Sequence, residues 1–147
     1  MGRIGIPIVA LALGCITGAA WAQSASPVGR WRTFDDQTGR EQGVVRIAEH
    51  DGTLTGFIES TSDPADAERR CDLCDGERHD KPLLGLQIIN GLHWDGETWS
   101  GGGILDPQTG RVYRCIIRIA DSGRTLIVRG FLGLELLGRS QNWRRTP

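Results

Sequence analysis

Apolar and polar residues alternate with a period of two over much of the chain beyond residue 27, the spacing of strands that bury one face. The plainest case is Val112 to Ile119. Tyr113, Cys115, Ile117 and Ile119 fall on one face, and Val112, Arg114, Ile116 and Arg118 on the other. The face without arginine is predicted to look inward. Comparable runs predict strands near Val28 to Phe34, Val44 to His50, Thr53 to Glu59, Leu83 to Asn90, Thr98 to Leu105, Thr125 to Phe131 and Ser140 to Arg145. Asp51-Gly52, Asp95-Gly96 and Asp121-Ser122-Gly123 stand between several of them and supply hairpin turns, while the triple glycine Gly101 to Gly103 reads as a bend within a strand. About eight or more antiparallel strands joined by hairpins fit a small up-and-down barrel better than an open sheet, because closure removes the exposed edges. A barrel of that size is either filled by side chains or holds one small ligand, and the pattern leaves both open.

Three segments depart from the alternation. Residues 1–22 carry Arg3, an apolar stretch from Ile4 to Leu13 and the small-x-small site Ala20-Trp21-Ala22, which reads as a cleaved secretory signal. A periplasmic or secreted protein beginning at Gln23 is the expectation, with residues 23–147 as a single domain. Leu11-Ala12-Leu13-Gly14-Cys15 offers a competing lipoprotein reading. That motif prefers leucine three places before the cysteine and a small residue two before, and Ala12 and Leu13 fill these places, so soluble release after Ala22 is favoured. Ser60 to Pro82 is acidic, contains Cys71 and Cys74, and has almost no large apolar side chain; it reads as a long loop of the kind that is functional or disordered. Glu135-Leu136-Leu137 predicts a short helical or irregular link.

Charge narrows the partners. The formal net charge is −1, and the 17 basic residues, of which Lys81 is the one lysine, are spread along the chain. No basic stripe for nucleic acid and no polybasic segment for anionic lipid results. No later segment is long and apolar enough for a transmembrane helix. A turn sequence occurs twice, Gln37-Thr38-Gly39-Arg40 and Gln108-Thr109-Gly110-Arg111, and reads as convergent turn chemistry.

Candidate chemistry is sparse. Cleavage after Ala22 leaves Cys71, Cys74 and Cys115, an odd number for an oxidising compartment. A structural disulfide is favoured, within Cys71-x-x-Cys74 or from one of these to Cys115. The inward parity of Cys115 sharpens this to a buried, free Cys115 and a Cys71–Cys74 pair. A redox Cys-x-x-Cys would sit at a helix N-terminus after a strand, and here no strand precedes it. Zinc on Cys71, Cys74, His79 and Cys115 has one ligand pair at suitable spacing but lacks a second. Asp72, Asp75 and Glu77 lack the order of a calcium loop and read as a solvated face. His50, His79 and His93 all adjoin turns or lie in the loop, and no nucleophile or phosphate-binding motif is present. No catalytic residue, metal ligand or cofactor site is assigned.

Five ordered stretches resemble an exported bacterial family catalogued as domain of unknown function 2147. They are Pro27-Val28-Gly29-Arg30-Trp31; Cys71-x-x-Cys74-x-Gly76 with Lys81-Pro82-Leu83-Leu84-Gly85; Trp99 to Pro107; Gly110-Arg111-x-Tyr113-x-Cys115; and Arg129 to Gly133 with Leu136 to Ser140, Gln141 and Trp143. The resemblance spans essentially the whole chain after the signal and implies a lipocalin-like β-barrel, with no activity attached. Gly29-x-Trp31 on the first strand and Trp143 on the last are similar to the closed-end plug of lipocalin barrels, where a late arginine packs across the early tryptophan. Arg139 or Arg145, which share a face with Trp143, is the expected partner, and Gly29, Trp31, Arg139 and Trp143 are taken as structural. The expected role is noncatalytic binding of a small, partly apolar molecule or a cell-envelope component at the barrel mouth. The rival is a thiol-redox or zinc activity centred on Cys71 and Cys74.

Overall fold

The computed structural model describes residues 25–147; the stretch read as an export signal, residues 1–22 with Cys15, lies outside the described residues. Eight strands follow one another in sequence: β1 (Gly29–Phe34), β2 (Glu41–His50), β3 (Thr53–Thr61), β4 (Gln87–Trp94), β5 (Trp99–Asp106), β6 (Arg111–Ala120), β7 (Thr125–Phe131) and β8 (Arg139–Arg145). Each pairs antiparallel with its neighbours, and β1 pairs with β8, so the sheet closes into an up-and-down barrel. Closure leaves no free edge to be protected.

The eight runs of alternation become eight strands, and Asp51-Gly52 joins β2 to β3 as predicted. On β6, Cys115 and Ile117 are buried and Val112, Arg114 and Arg118 are exposed, which sets the arginine-bearing face outward. The glycine-rich stretch of β5 carries a register shift between Trp99 and Gly102, the bend read from the sequence. The fourth strand starts later than predicted, at Gln87. Leu83 to Leu86 instead makes a turn, held by Leu86 N–H donating to the Leu83 carbonyl at 3.1 Å.

An up-and-down chain alternates its turns between two ends. The β2–β3, β4–β5 and β6–β7 turns share one end with both termini of the barrel. The other end gathers the β1–β2 turn, the 62–86 connection, the β5–β6 turn and the link between β7 and β8. That link includes a short 3-10 turn, Glu135–Leu137, as expected.

The first end is plugged. Trp31 and Trp143 are almost wholly buried among Ile47, Leu54, Leu92, Ile117 and Leu126. Trp31 Nε1 donates to the Pro27 carbonyl at 2.8 Å, which satisfies the one polar atom of the ring. The arginine across Trp31 is Arg145, whose guanidinium carbon lies 4.2 Å from the ring centroid. Arg139 is corrected as a plug residue. Register decides it, since Trp31 pairs directly with Arg145, whereas Arg139 sits six positions earlier on β8, about 20 Å away along the strand. Gly29 is required here: φ is +138°, and a Cβ would lie 2.6 Å from Arg145 Nη1.

Candidate functional site

The open end leads into a cavity of about 670 Å³. Its floor is apolar, formed by Val45, Ile58, Ile88, Val128 and Trp143. Tyr113 adds aromatic surface higher up, whereas Phe131 pairs with the outward-facing Arg114, whose guanidinium carbon lies 5.7 Å from its ring centroid. The barrel is therefore filled at one end and hollow at the other, and its volume lies within the range of small-molecule sites, about 300 to 1,000 Å³.

The rim rests on the repeated turn sequence. Asp35 precedes the first copy, and its Oδ1 accepts from Thr38 N–H (2.8 Å), Thr38 Oγ1 (2.8 Å) and Gln37 N–H (3.1 Å). Asp106 precedes the second, with Gln108 N–H donating to Oδ1 at 2.9 Å and Thr109 Oγ1 to Oδ2 at 3.0 Å. In both, a glycine N–H closes back on the aspartate carbonyl at 2.8 Å (Gly39 to Asp35, Gly110 to Asp106). The same physical solution is thus used twice, side-chain carboxylate replacing strand partners as the chain reverses. The donated Thr38 N–H, above all, holds the Asp35 carboxyl below its ordinary range.

Asp36, the next residue, crosses the rim to β8. Its Oδ2 forms an ion pair with Arg139, 2.8 Å from Nε, and accepts from Gln141 Nε2 at 3.2 Å. Gln141 Oε1 in turn accepts from Trp143 Nε1 at 3.0 Å, so a chain of polar contacts runs from the mouth to the floor. Arg139, predicted for the plug, belongs to the rim.

The cysteine-bearing segment is built onto this end. Cys71 and Cys74 stand at disulfide distance with Cα atoms 5.3 Å apart. Both are buried, 0% and 2% exposed, within the same apolar cluster as Leu83 and the barrel floor. The segment is the long cysteine-bearing loop expected, and it is ordered within itself. The ladder of β3 runs to Thr61, 3-10 turns form at Pro64–Glu68 and Gly76–Arg78, and Arg70 bridges Pro82. Cys71 N–H donates to the Lys81 carbonyl and Asp80 N–H to the Cys71 carbonyl, both at 2.8 Å, closing the segment on itself. At Gly110 (φ +71°) the segment touches the β5–β6 turn so closely that any Cβ would collide with the Leu73 carbonyl. Backbone polar groups hold the loop in place of large apolar side chains.

Cys115 is a buried free thiol on β6, raised to about 12 by its burial. The four candidate zinc ligands are not brought together: the Cys71 and Cys74 sulfurs are joined to each other, and His79 Nδ1 lies 3.0 Å from the Cys74 carbonyl oxygen. Among the described residues no three His, Cys, Asp or Glu side chains form a metal-binding group. His50 pairs with Asp51 in solvent, and His93 meets Thr53 Oγ1 at the plugged end. The acidic residues Asp72, Asp75 and Glu77 are exposed. The cavity residues Ile58, Ile88, Val128 and Asp36 were not singled out from the sequence; inward parity on consecutive strands was the available signal, and it does not distinguish lining from filling.

A closed eight-stranded barrel, plugged at one end by a tryptophan under an arginine and hollow at the other, is a lipocalin-like barrel. The family described as uncharacterised proteins conserved in bacteria (DUF2147) matches residues 29–145, and the chain belongs to that family. Its fold is similar to that of protein HP1028 from Helicobacter pylori, described as a member of the lipocalin family, with a TM-score of 0.73, 17% identity and 84% of each chain covered. No curated protein matches the chain.

Proposed function

We propose that this protein is an exported, noncatalytic binding barrel that holds one small, partly apolar molecule in its open end. The observation that carries the reading is the cavity of about 670 Å³ with an apolar floor and a polar rim. Burial of an apolar body there is worth ~25 cal/mol per Å² removed from water, and the rim's hydrogen-bonding groups select its polar end. Export after Ala22 and a periplasmic or secreted location follow from the sequence signal and agree with a cysteine pair, which persists in oxidising compartments.

Native mass spectrometry of the protein released from the periplasm tests the reading. It predicts a mature chain beginning at Gln23, two hydrogens lighter than the fully reduced mass, with a fraction carrying one small molecule that organic solvent extracts. A chain bearing acyl groups on Cys15 would contradict soluble release, and failure of any apolar molecule to bind at one per barrel would contradict the binding role.

A further inference from the structure

The charged residues lining the cavity are unevenly matched. Asp35, Asp36, Asp66 and Asp106 face two arginines, Arg69 and Arg139, so the lining carries two more negative than positive charges. Both arginines are already neutralised: Arg69 Nη1 donates to Asp66 Oδ1 at 2.8 Å, and Arg139 Nε forms an ion pair with Asp36 Oδ2 at 2.8 Å. No lysine lines the cavity among the described residues, and no arginine there is left without a carboxylate. An entering carboxylate or phosphate would have to separate one of these pairs or lie beside excess negative charge. Apolar walls lower the local dielectric and strengthen that penalty, and for a cation they strengthen the attraction.

Two further observations favour a cation. Asp36 uses one oxygen, Oδ2, for both Arg139 and Gln141, leaving Oδ1 without a hydrogen bond among the described residues. Tyr113 and Trp143 line the same space, and aromatic rings attract ammonium groups. We propose that the ligand is an apolar amine, with its hydrocarbon body on the Val45, Ile58 and Val128 floor and its positively charged nitrogen at the rim against Asp36. This deepens the binding reading above and rests on it.

The test is calorimetric titration of the purified mature protein with three twelve-carbon probes below their aggregation concentrations: dodecyltrimethylammonium, dodecanol and dodecanoate. The expected order is the ammonium tightest, dodecanoate weakest, with about tenfold or more between these two at low ionic strength and a smaller gap in salt. Two variants move in opposite directions. Asp36→Asn is expected to weaken the ammonium about fivefold or more and dodecanol far less, and Arg139→Gln, which frees Asp36, to tighten the ammonium. General damage to the barrel would weaken all three probes in both variants, so the opposed signs separate recognition from misfolding. Dodecanoate binding as tightly as the ammonium overturns the amine assignment and leaves the binding barrel standing. If no probe binds at one per barrel, the binding role itself falls, and the assignment with it.

Discussion

Arg145 lies over Trp31, 4.2 Å from guanidinium carbon to ring centroid, and spends its donors on three backbone carbonyls of the segments that meet at the plugged end. Nε donates to Gly123 at 2.6 Å, Nη1 to Val28 at 3.0 Å and Nη2 to Ser26 at 2.6 Å. One side chain thereby ties the chain entering β1, the β6–β7 turn and the end of β8 to the buried indole. Five planar donors in a fixed fork make arginine suited to this; lysine offers a single point of charge.

Unfolding in urea tests the plug. Trp31→Ala is expected to cost ~3 to 5 kcal/mol, as a fully buried aromatic truncated to a cavity. Arg145→Lys should cost ~1 to 3 kcal/mol, from lost stacking and stranded carbonyls. Arg139→Gln, at an exposed pair, should stay within about 1 kcal/mol. Equal losses at Arg139 and Arg145 would contradict the assignment of Arg145 to the plug.

Cys115 imposes an alkaline limit. Its folded value, about 12, lies above the ordinary 9.0 because burial disfavours the thiolate. An acid whose folded value is raised contributes stability that is complete below the unfolded value and is lost as pH climbs towards the folded one. The window is therefore pH 9 to 12. Comparison of Cys115→Ala with the parent across that window should show a shallower decline in the variant. Ellman's reagent should modify no thiol in the native protein and one in the unfolded, unreduced protein; rapid native labelling would contradict burial of Cys115.

The Cys71–Cys74 ring spans few residues, so its closure removes little chain entropy and its reduction is expected to cost less than about 2 kcal/mol. Docking of the segment onto the rim depends more on backbone contact. Gly110→Ala, which would drive a methyl into the Leu73 carbonyl at a positive φ, should cost ~1 to 3 kcal/mol and raise hydrogen exchange across 71–83. Non-reducing peptide maps should contain a Cys71–Cys74 linked peptide and a free Cys115 peptide; a linked peptide containing Cys115 would contradict the pairing.

Period-two alternation made the barrel legible. In β6, Cys115 and Ile117 could be set inward and Arg114 and Arg118 outward without any contact being known, because parity is local. Parity could not separate Arg139 from Arg145, which share a face; the choice depended on which of them stands opposite Trp31, a matter of strand register. The 62–86 connection resisted reading for a different reason. Its order comes from carbonyls and amides at Cys71, Asp80 and Lys81, which every sequence possesses, and its start of the next strand was displaced by the Leu83–Leu86 turn. The cavity was illegible in the same sense: Val128 and Ile58 read alike whether the space before them is filled or empty.

The cavity is the centre of the account, and filling it is the direct test. Gly130 lines it, and a Cβ there would meet Tyr113 Cβ at 3.5 Å and Ile104 Cγ2 at 3.7 Å, ordinary contacts that a side chain can adopt. Gly130→Leu therefore occupies the space without breaking the sheet. Titration with the apolar fluorophore N-phenyl-1-naphthylamine should show saturable binding at one per barrel in the parent protein. In Gly130→Leu the affinity should fall about tenfold or more, a loss of ~1.4 kcal/mol or greater, with an unchanged circular dichroism spectrum. Equal binding by the folded variant would contradict a ligand site inside the barrel.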